Sequence, residues 1–259
     1  MGQFLNVAID SRVATVTINN PPVNALSPDV LKEIEATMDE LKTNKEVKVI
    51  VITGTGPVFI AGADIKQMAM IQSVADGKKA AGEGQRVFLK IERMEKPVIA
   101  AINGVCLGGG MELAMACHIR MCSDRARLGQ PEINLGIIPG FGGTQRMSRL
   151  VGRGKATEWI LTGDNIPPQD AKALGLVNHV VPEAEVLRQA QGLAKKIAMK
   201  PAVAIAQILK AIDGGLQQSS TDAAMAVELE GFGECCKSPD MKEGIKAFVE
   251  KRQPQFTDQ

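Results

Sequence analysis

The sequence has few aromatic side chains, with no tyrosine, one tryptophan and seven phenylalanines among 259 residues. Nucleic-acid-binding proteins commonly combine aromatic stacking surfaces with a basic patch. Here 30 lysines and arginines stand against 29 aspartates and glutamates, a net charge of +1. The composition therefore argues against a nucleic-acid-binding protein, and no polybasic segment is present that would favour anionic lipid.

Cysteine is scarce and irregularly placed. The five cysteines have no Cys-x-x-Cys spacing; they are Cys106, Cys117, Cys122, Cys235 and Cys236. An odd number without paired spacing is not typical of a disulfide framework or a structural zinc site. The HExxH and GxSxG motifs of zinc hydrolases and serine esterases are also missing. We therefore expect a cytoplasmic protein without a bound metal.

The chain also lacks a long apolar run. No stretch reaches the roughly 18 apolar residues that a membrane-spanning helix needs. Hydrophobic residues nevertheless make up 45% of the sequence and charged residues 23%, as in ordinary globular proteins. A chain of this length can bury a large core. We expect a globular protein that does not enter a membrane.

Strand and helix patterns alternate over the first two thirds of the chain. Two β-branched segments on either side of residues 10–12 predict a hairpin. Ser27 followed by Pro28 predicts a helix N-terminus. The apolar positions that follow recur at helical spacing: Val30, Leu31, Ile34, Met38 and Leu41. These patterns predict a strand, strand, helix unit.

A second such unit follows, and the two buried strands in it are continuous apolar runs. KVIVITG (48–54) and VIAAING (98–104) predict strands covered on both faces, with a polar helix over about residues 66–95 between them. Further elements are predicted as a buried helix over 111–119, strands over 119–124 and 126–129, a helix over 142–150 and a strand over 175–182. Alternating strands and helices indicate an α/β protein, with ligands bound where strands lead into helices.

The β pattern stops at about residues 185–200. We predict a core domain over residues 1–195 and a C-terminal helical region over 196–259, interrupted at KAIDGGL (210–216). The helical region carries an apolar face that a small separate domain could not bury alone. This face consists of Met225, Val227, Leu229, Phe232, Ile245, Phe248 and Val249. We expect it to pack on the core or on a neighbouring subunit.

Two glutamates stand in apolar, glycine-rich surroundings. Glu112 follows the three glycines 108–110, and Glu132 lies in the segment GQPEINLGIIPGFGG. Burial would raise the pKa of each carboxyl toward neutrality, as proton transfer requires. Alternatively, Glu112 only complements a helix dipole and Glu132 only accepts backbone hydrogen bonds in a turn. Because both lie beside glycine-rich loops, we favour a pair that performs acid/base chemistry on one substrate.

Two loops can supply backbone N–H donors. Glycines 108–110 precede a helix, whose N-terminus favours negative charge, and AGADIK (61–66) offers a second donor from a turn. Two such donors stabilise an enolate or a tetrahedral oxyanion. Alternatively, the glycines only permit close packing, Asp64 only caps the next helix, and Lys66 is solvated or meets a phosphate.

The other polar candidates are interpreted as structural. His118 and His179 have no partner motif, so neither is expected to be catalytic. Arg146, Arg149 and Arg153 recur at helical spacing and predict a basic stripe that is solvated or contacts another subunit.

Long segments of the chain resemble the crotonase superfamily, and within it the enoyl-CoA hydratases. The segments are AGADIKQM, PVIAAINGVCLGGGMELAMAC, GQPEINLGIIPGFGGTQR and LTGDNIPPQDAKALGLVNHVVP, with KEGIKAFVEKRQPQF resembling the closing helix. They follow in order over nearly the whole chain. One departure is His118, because many relatives have an aspartate after the cysteine, and we expect it to affect packing more than chemistry.

The resemblance implies a crotonase-type spiral of ββα units, a C-terminal helical trimerisation region and a homo-hexamer made of two trimers. It implies an acyl-CoA thioester substrate, with coenzyme A as part of the substrate and no separate cofactor. The thioester oxygen would meet the N–H groups of Ala63 and Gly109. Glu112 and Glu132 would flank the catalytic water. The further substrate contacts that we assign are Ala61, Asp64, Ile65, Lys66 and Gly140, the last by its backbone to the water.

The implied reaction is addition of water across the 2,3 double bond of a 2-enoyl-CoA, or its reverse. By resemblance Glu132 delivers the proton to C2 and Glu112 orients the water, whereas the residues themselves leave the two roles undivided. Other members of the superfamily are isomerases or act on dienoyl and cyclic thioesters, and some are acyl-CoA- or RNA-binding scaffolds. Two intact glutamates favour hydration, and the acyl chain length stays open.

Overall fold

The computed structural model describes residues 2–259, and the predicted N-terminal hairpin is confirmed. Strand β1 (Leu5–Asp10) pairs antiparallel with β2 (Val13–Ile18), and Asp10 lies opposite Val13. Ser11 and Arg12 adopt positive φ angles of 51° and 63°. A two-residue hairpin turn requires this conformation, since it matches the twist of the strands.

The first helix forms where its capping residues predict it. In α1 (Pro28–Thr43), the Ser27 hydroxyl accepts the Val30 N–H at 3.2 Å, and Pro28 occupies the first turn. All five predicted apolar positions are buried, namely Val30, Leu31, Ile34, Met38 and Leu41. The helix covers the sheet with this face.

A six-stranded sheet, which we call the large sheet, forms the centre of the molecule. Its strand order is β1-β2-β3-β5-β7-β9, and all pairs after β1-β2 are parallel. The further strands are β3 (Val49–Gly54), β5 (Val98–Ile102), β7 (Ile119–Ser123) and β9 (His179–Val181). Every residue of β3 and β5 is buried, which confirms both continuous apolar runs as strands covered on two faces.

Three short parallel strands form a second sheet, which we call the small sheet. Its order is β4 (Val58–Ile60), β6 (Val105–Leu107) and β8 (Arg127–Gly129). Only β8 was expected from the sequence. Three residues are too few for a period-2 pattern, so β4 went unrecognised and β6 was placed in a loop. The small sheet matters for function because its three carboxyl ends lead into the candidate site.

Two helix predictions need correction. The helix expected over about residues 66–95 is divided into α2 (Ile65–Met68) and α3 (Val74–Glu92), because Ser73 caps α3 and starts a new helix. The interruption expected at KAIDGGL is absent, since α9 (Ala202–Leu216) continues through both glycines and the chain breaks only at residues 217–220. A Cβ at Gly214 would lie 3.0 Å from Val227, so glycine lets the next helix pack closely.

The remaining helices are α4 (Gly109–Ala116), α5 (Gly143–Val151), α6 (Arg153–Thr162), α7 (Pro168–Ala173), α8 (Val186–Ala198), α10 (Thr221–Lys237) and α11 (Pro239–Val249). Five of them follow the predicted order, but α6 and α7 were not predicted between the helix over 142–150 and the strand over 175–182. None of those within residues 2–259 has the length and apolarity that a bilayer crossing requires.

The helices after β9 differ in how they are covered. Helix α8 buries Ala190 and Ala194 against the large sheet, where they join Val49 and Ile99 in a second core cluster. Helices α9 and α10 instead pack against each other, and apolar side chains of α10 and α11 stay exposed, with Phe248 85% exposed. The division into residues 1–195 and 196–259 stays a prediction, as does the partner of the apolar face.

Candidate active site

Three loops meet at the carboxyl edge of the small sheet. Strand β4 leads into residues 61–64, β6 into glycines 108–110, and β8 into residues 130–132. Because the strands are parallel, all three loops leave the sheet at the same edge. This places the two candidate donor loops and Glu132 side by side, although they are far apart in sequence.

The N–H group of Ala63 is directed away from its neighbouring strand. Leu26 bonds the residues on either side of it: the Leu26 N–H donates to the Gly62 carbonyl at 2.9 Å, and the Asp64 N–H donates to the Leu26 carbonyl at 3.1 Å. In an extended segment the groups of Ala63 therefore face the other way. Within residues 2–259, no backbone acceptor takes the Ala63 N–H.

Gly109 supplies the second donor next to Ala63. Gly108 has a φ of +52° and donates its own N–H to Gly129 at 3.0 Å. Gly109 is then the first residue of α4, so its N–H has no partner within the helix. A Cβ added at Gly109 would lie only 3.5 Å from the Ala63 nitrogen. The two N–H groups are thus adjacent and can approach a single ligand oxygen.

Glu112 lies in the first turn of α4 and is 2% exposed. Its Oε1 accepts the N–H groups of Phe141 and Gly143, each at 2.7 Å. Burial raises the pKa of Glu112 to about 7, against the opposing effects of these donors and of Arg146. Both bonds come from another loop, which a glutamate that only complements its helix dipole would not require.

Glu132 lies in a short 3₁₀ turn (Pro131–Leu135) and is half-buried. Burial, followed by the nearby charge of Glu112, raises the pKa of Glu132 to about 7. The fully buried amide of Gln130, with its nitrogen turned toward Glu132, donates to Oε1 at 2.8 Å and Oε2 at 3.0 Å. A Cβ at Gly108 would lie 3.0 Å from Glu132 Oε1, so this carboxyl faces the donor loop.

The two carboxyl groups form one electrostatic unit. A Cβ at Gly143 would lie 3.0 Å from Glu112 Oε1 and 2.7 Å from the side-chain amide of Gln130, so this one glycine separates Glu112 from the residue that bonds Glu132. The charge of Glu112 raises the pKa of Glu132, so ionisation of one carboxyl disfavours ionisation of the other. The site can therefore donate and accept protons on one ligand.

The other predicted contact residues lie around these loops. Asp64 Oδ1 accepts the Lys66 N–H at 2.9 Å and caps α2, as the capping alternative expects. Ile65 and Lys66 are exposed, and the Ala61 N–H donates to Val23 at 3.1 Å. The Gly140 carbonyl accepts Gln85 Nε2 at 2.8 Å, one residue before the loop that holds Glu112. Their roles as substrate contacts stay predictions.

Arg146 departs from the predicted basic stripe. Arg149 and Arg153 are exposed as expected, but Arg146 is 8% exposed. Its guanidinium bonds the Glu92 carboxylate and the Phe141 carbonyl. Helical spacing of three arginines cannot reveal that the first one points inward, because the partner Glu92 lies 54 residues away in sequence.

Gln130 was also not identified as a site residue from the sequence, although it lies two residues before Glu132 in the GQPE segment. The only sequence feature that could have indicated its role is a polar side chain between apolar neighbours. His118 bonds the backbone of a neighbouring strand: Nδ1 accepts the Val98 N–H at 3.0 Å, and burial followed by Arg120 lowers the His118 pKa to about 4. Its structural role stays a prediction. Within residues 2–259, no group of three or more histidine, cysteine or carboxylate side chains is arranged to hold a metal ion.

Known proteins share this architecture and much of this sequence. The family model described as enoyl-CoA hydratase/isomerase matches residues 8–259. The chain is 46% identical to a "Probable enoyl-CoA hydratase" of Bacillus subtilis, covering 97% of this chain and 98% of that one. It is 47% identical to a "Short-chain-enoyl-CoA hydratase" of Clostridium acetobutylicum, over 94% and 93% of the two chains.

A solved structure agrees with these relatives. The crystal structure of an enoyl-CoA hydratase from Bacillus anthracis superposes with a TM-score of 0.95 at 35% identity, covering 99% of this chain and all of that one. The fold is therefore the crotonase-type spiral expected from the sequence, with a helical C-terminal region. By sequence and by structure, the chain belongs to the enoyl-CoA hydratase/isomerase family.

Proposed function

We propose that the protein is an enoyl-CoA hydratase, a hydro-lyase that adds water across the 2,3 double bond of a 2-enoyl-CoA to give a 3-hydroxyacyl-CoA. The observation that carries this proposal is the pair of glutamates with pKa values of about 7, set beside two adjacent backbone donors. Hydration needs both a group that takes a proton from water and one that gives a proton to carbon.

The N–H groups of Ala63 and Gly109 would hold the thioester carbonyl oxygen. Hydrogen bonds to this oxygen draw electron density from the conjugated system and make C3 electrophilic. Negative charge develops on the oxygen as water adds, so the bonds strengthen in the transition state. The N-terminus of α4 adds positive potential at the same point. Loss of one such donor typically costs about 3 kcal/mol of transition-state stabilisation.

The glutamates divide the proton transfers. Two backbone donors on Glu112 Oε1 favour its ionised form, which suits the group that orients water and takes its proton. The charge of Glu112 in turn favours the protonated form of Glu132, which suits delivery of a proton to C2. Addition then balances without an external reagent: hydroxide from water joins C3 and the proton of Glu132 joins C2. The proton that Glu112 took from the water then passes to Glu132 and restores the starting state.

The substrate that we propose to test first is crotonyl-CoA. A relative of 47% identity carries the name "Short-chain-enoyl-CoA hydratase". The proposed hydration changes no oxidation level overall and uses the two carboxyl groups for proton transfer, so it needs neither a redox cofactor nor a separate metal. Coenzyme A enters as part of the substrate.

The experiment follows the absorbance of the conjugated thioester band when crotonyl-CoA is mixed with enzyme. Hydration removes the conjugation, so the band should decline, and 3-hydroxybutyryl-CoA should appear by mass spectrometry. Longer and cyclic enoyl-CoAs extend the panel. If the band of every substrate persists, the proposal is wrong. If a 3-enoyl-CoA is instead converted to the conjugated form, and Glu112→Gln retains most of that activity, the protein is an isomerase.

We further propose a homo-hexamer of two trimers in which the exposed apolar side chains of α10 and α11 contact neighbouring subunits. Phe232 and Phe248 are exposed in the single chain, in a pattern that a stable monomer would not favour. Native mass spectrometry should give about six times the mass of one chain. A monomer at micromolar concentration would contradict this.

The five free cysteines suit a reducing compartment, and we propose the cytoplasm.

A further inference from the structure

Both backbone polar groups of Phe141 are held, one by a reacting group and one by a buried cation. The Phe141 N–H donates to Glu112 Oε1 at 2.7 Å, and its carbonyl accepts Arg146 Nη1 at 2.8 Å. The other guanidinium donors, Nε and Nη2, bond Glu92 Oε2 at 3.1 and 2.7 Å. A chain of hydrogen bonds therefore runs from Glu92 on α3 through Arg146 to Glu112.

The backbone next to Phe141 is shaped to admit this guanidinium. Gly142 has a φ of +111°, a conformation that favours glycine. A Cβ at Gly142 would also overlap Arg146 Nη1. Gly143, the next residue, gives the second N–H to Glu112. The loop thus lacks side chains at the two positions where Arg146 and Glu112 approach it.

Helix α3 holds the same loop through two further contacts. The Phe141 ring packs edge-on against Phe88, with ring centroids 5.5 Å apart, and a Cβ at Gly84 would overlap that ring. One turn away, Gln85 Nε2 donates to the Gly140 carbonyl at 2.8 Å. Gln85, Phe88 and Glu92 share one face of the helix. Among the side chains that bond or pack against this loop, Arg146 is the one that brings a charge close to Glu112.

The charged groups around Arg146 come from several elements. Glu92 is its ion-pair partner on α3, and Asp213 on α9 has its pKa raised by burial and by Glu92. On the other side, the charge of Arg146 lowers the pKa of Glu112 against the effect of burial. Arg146 therefore acts on Glu112 in two ways: it orders the donors, and it contributes positive potential.

We propose that Arg146 is a positioning residue for the hydration reaction, and that it fixes the Phe141–Gly143 loop so that both loop N–H groups orient the Glu112 carboxylate. Arg146 bonds no reacting group itself, and its hydrogen-bonded link to Glu112 runs through Phe141. The inference rests on the proposed function, since it concerns the same site.

The test compares Arg146→Met with Arg149→Met, a matched change one turn later on the exposed side of α5. A misplaced catalytic group can cost about 100-fold in rate, so kcat for crotonyl-CoA should fall about 10- to 100-fold in Arg146→Met. KM should stay within about threefold, because the donor loops at Ala63 and Gly109 are untouched. The acid limb of the kcat–pH profile should move to higher pH as Glu112 loses a nearby cation. Arg149→Met should match the wild type in all three.

Two conservative variants separate charge from geometry. Arg146→Lys keeps the cation but replaces the planar fork that bonds Phe141 and Glu92 from separate nitrogens by a single ammonium group, so the acid limb should recover while kcat stays low. Glu92→Gln keeps an acceptor for the guanidinium and should give a smaller fall in kcat. Should Arg146→Met fail to fold, Arg146→Lys and Glu92→Gln carry the test. A folded Arg146→Met with wild-type kcat and pH profile, or one that loses only thermal stability, would overturn the proposal.

A measurement without substrate distinguishes this inference from the proposed function. The ¹³C carboxyl resonance of Glu112, assigned by its loss in Glu112→Gln, reports the pKa directly by NMR titration. Arg146→Met should raise this pKa relative to wild type, and Arg149→Met should not. If no enoyl-CoA is hydrated by wild type, the proposed function fails, while this titration still decides whether Arg146 acts on Glu112. If Arg146→Met and Arg149→Met give the same Glu112 pKa, the inference about Arg146 is wrong, whereas the proposed function is unaffected.

Discussion

Glu112 and Glu132 share a raised pKa of about 7, yet the fold holds them by different means. Glu112 is buried on a regular helix and bonded by two backbone N–H groups. Glu132 is half-buried in a 3₁₀ turn and bonded by one side chain, Gln130. Backbone donors cannot rotate away, whereas a glutamine amide can. The difference indicates that the Glu112 carboxylate is kept in one position and that the Glu132 carboxyl is held less rigidly.

The strongest test of the comparison removes each carboxyl in turn. Glu112→Gln and Glu132→Gln should each reduce kcat by about 10³-fold or more, because each removes one of two coupled proton transfers. The double variant should be only slightly slower than the slower single one, since groups that act as a unit are not additive. Steady-state kinetics with crotonyl-CoA measure all three. Effects that multiply would show that the glutamates act independently.

The next test disturbs only the glycine beside Glu132. Gly108→Ala should lower kcat about 100-fold, because the added Cβ lies 3.0 Å from Glu132 Oε1 and strains a φ of +52° that sets the Gly109 donor. Gly152→Ala is the matched control: its φ is +79°, and a Cβ there meets no atom within 4 Å. Both should lose about 1–3 kcal/mol of stability to backbone strain. If Gly108→Ala and Gly152→Ala lose activity equally, Gly108 has no specific role in the site.

A third test uses stability to compare the two burials. Because the pKa of Glu112 rises from 4.5 in the unfolded chain to about 7 in the fold, the native state binds an extra proton, and its stability falls as pH rises from about 4.5 through 7. Glu112→Gln has no ionisable carboxyl at this position, so its stability does not fall with pH for this reason. Its unfolding free energy should exceed that of wild type by at most about 3 kcal/mol at pH 8, with little difference at pH 4.

Chemical denaturation at the two pH values measures this difference. Glu132→Gln should gain a similar amount at pH 8, since the pKa of Glu132 is also raised from 4.5 to about 7. A wild type that is more stable than Glu112→Gln at pH 8 would mean that Glu112 is ionised in the fold at no cost, and the comparison with Glu132 would fail.

The smallest effect is expected at Gln130. Gln130→Met keeps the volume but removes both donors to Glu132, so the pKa of Glu132 should rise by about 1 unit, the scale of one such hydrogen bond. The kcat should fall only a few-fold, and Glu112 should titrate as in wild type. NMR titration of the two carboxyl groups measures both. An unchanged Glu132 would show that Gln130 does not hold it.

The predictions that succeeded from sequence depended on local patterns. The Ser27 cap, the five apolar positions of α1 and the buried strand β3 each follow from spacing within a few residues. Failures occurred where packing overrode local preference. Gly214 lies in a helix with Val227 packed against it, and the three-residue strand β6 pairs with both β4 and β8.

The candidate site shows the same division. Glu112, Glu132 and the two donor loops could be selected from sequence, because carboxylates and glycine runs are unusual in apolar segments. Arg146 and Gln130 could not, since their roles depend on Phe141 and Glu132 lying within hydrogen-bond distance of them. Nothing in the spacing of the arginines distinguishes the buried Arg146 from the exposed Arg149.

The sequence by itself determined the family, the first strand, strand, helix unit and the chemical groups available for proton transfer. Tertiary structure alone decided which groups meet: the small sheet brings three loops to one edge, and the loop at residues 141–143 bonds Glu112. The physical reason is that pKa values and oriented N–H groups depend on burial and on neighbours distant in sequence. Local pattern cannot encode either quantity, because both arise only when the segments pack together.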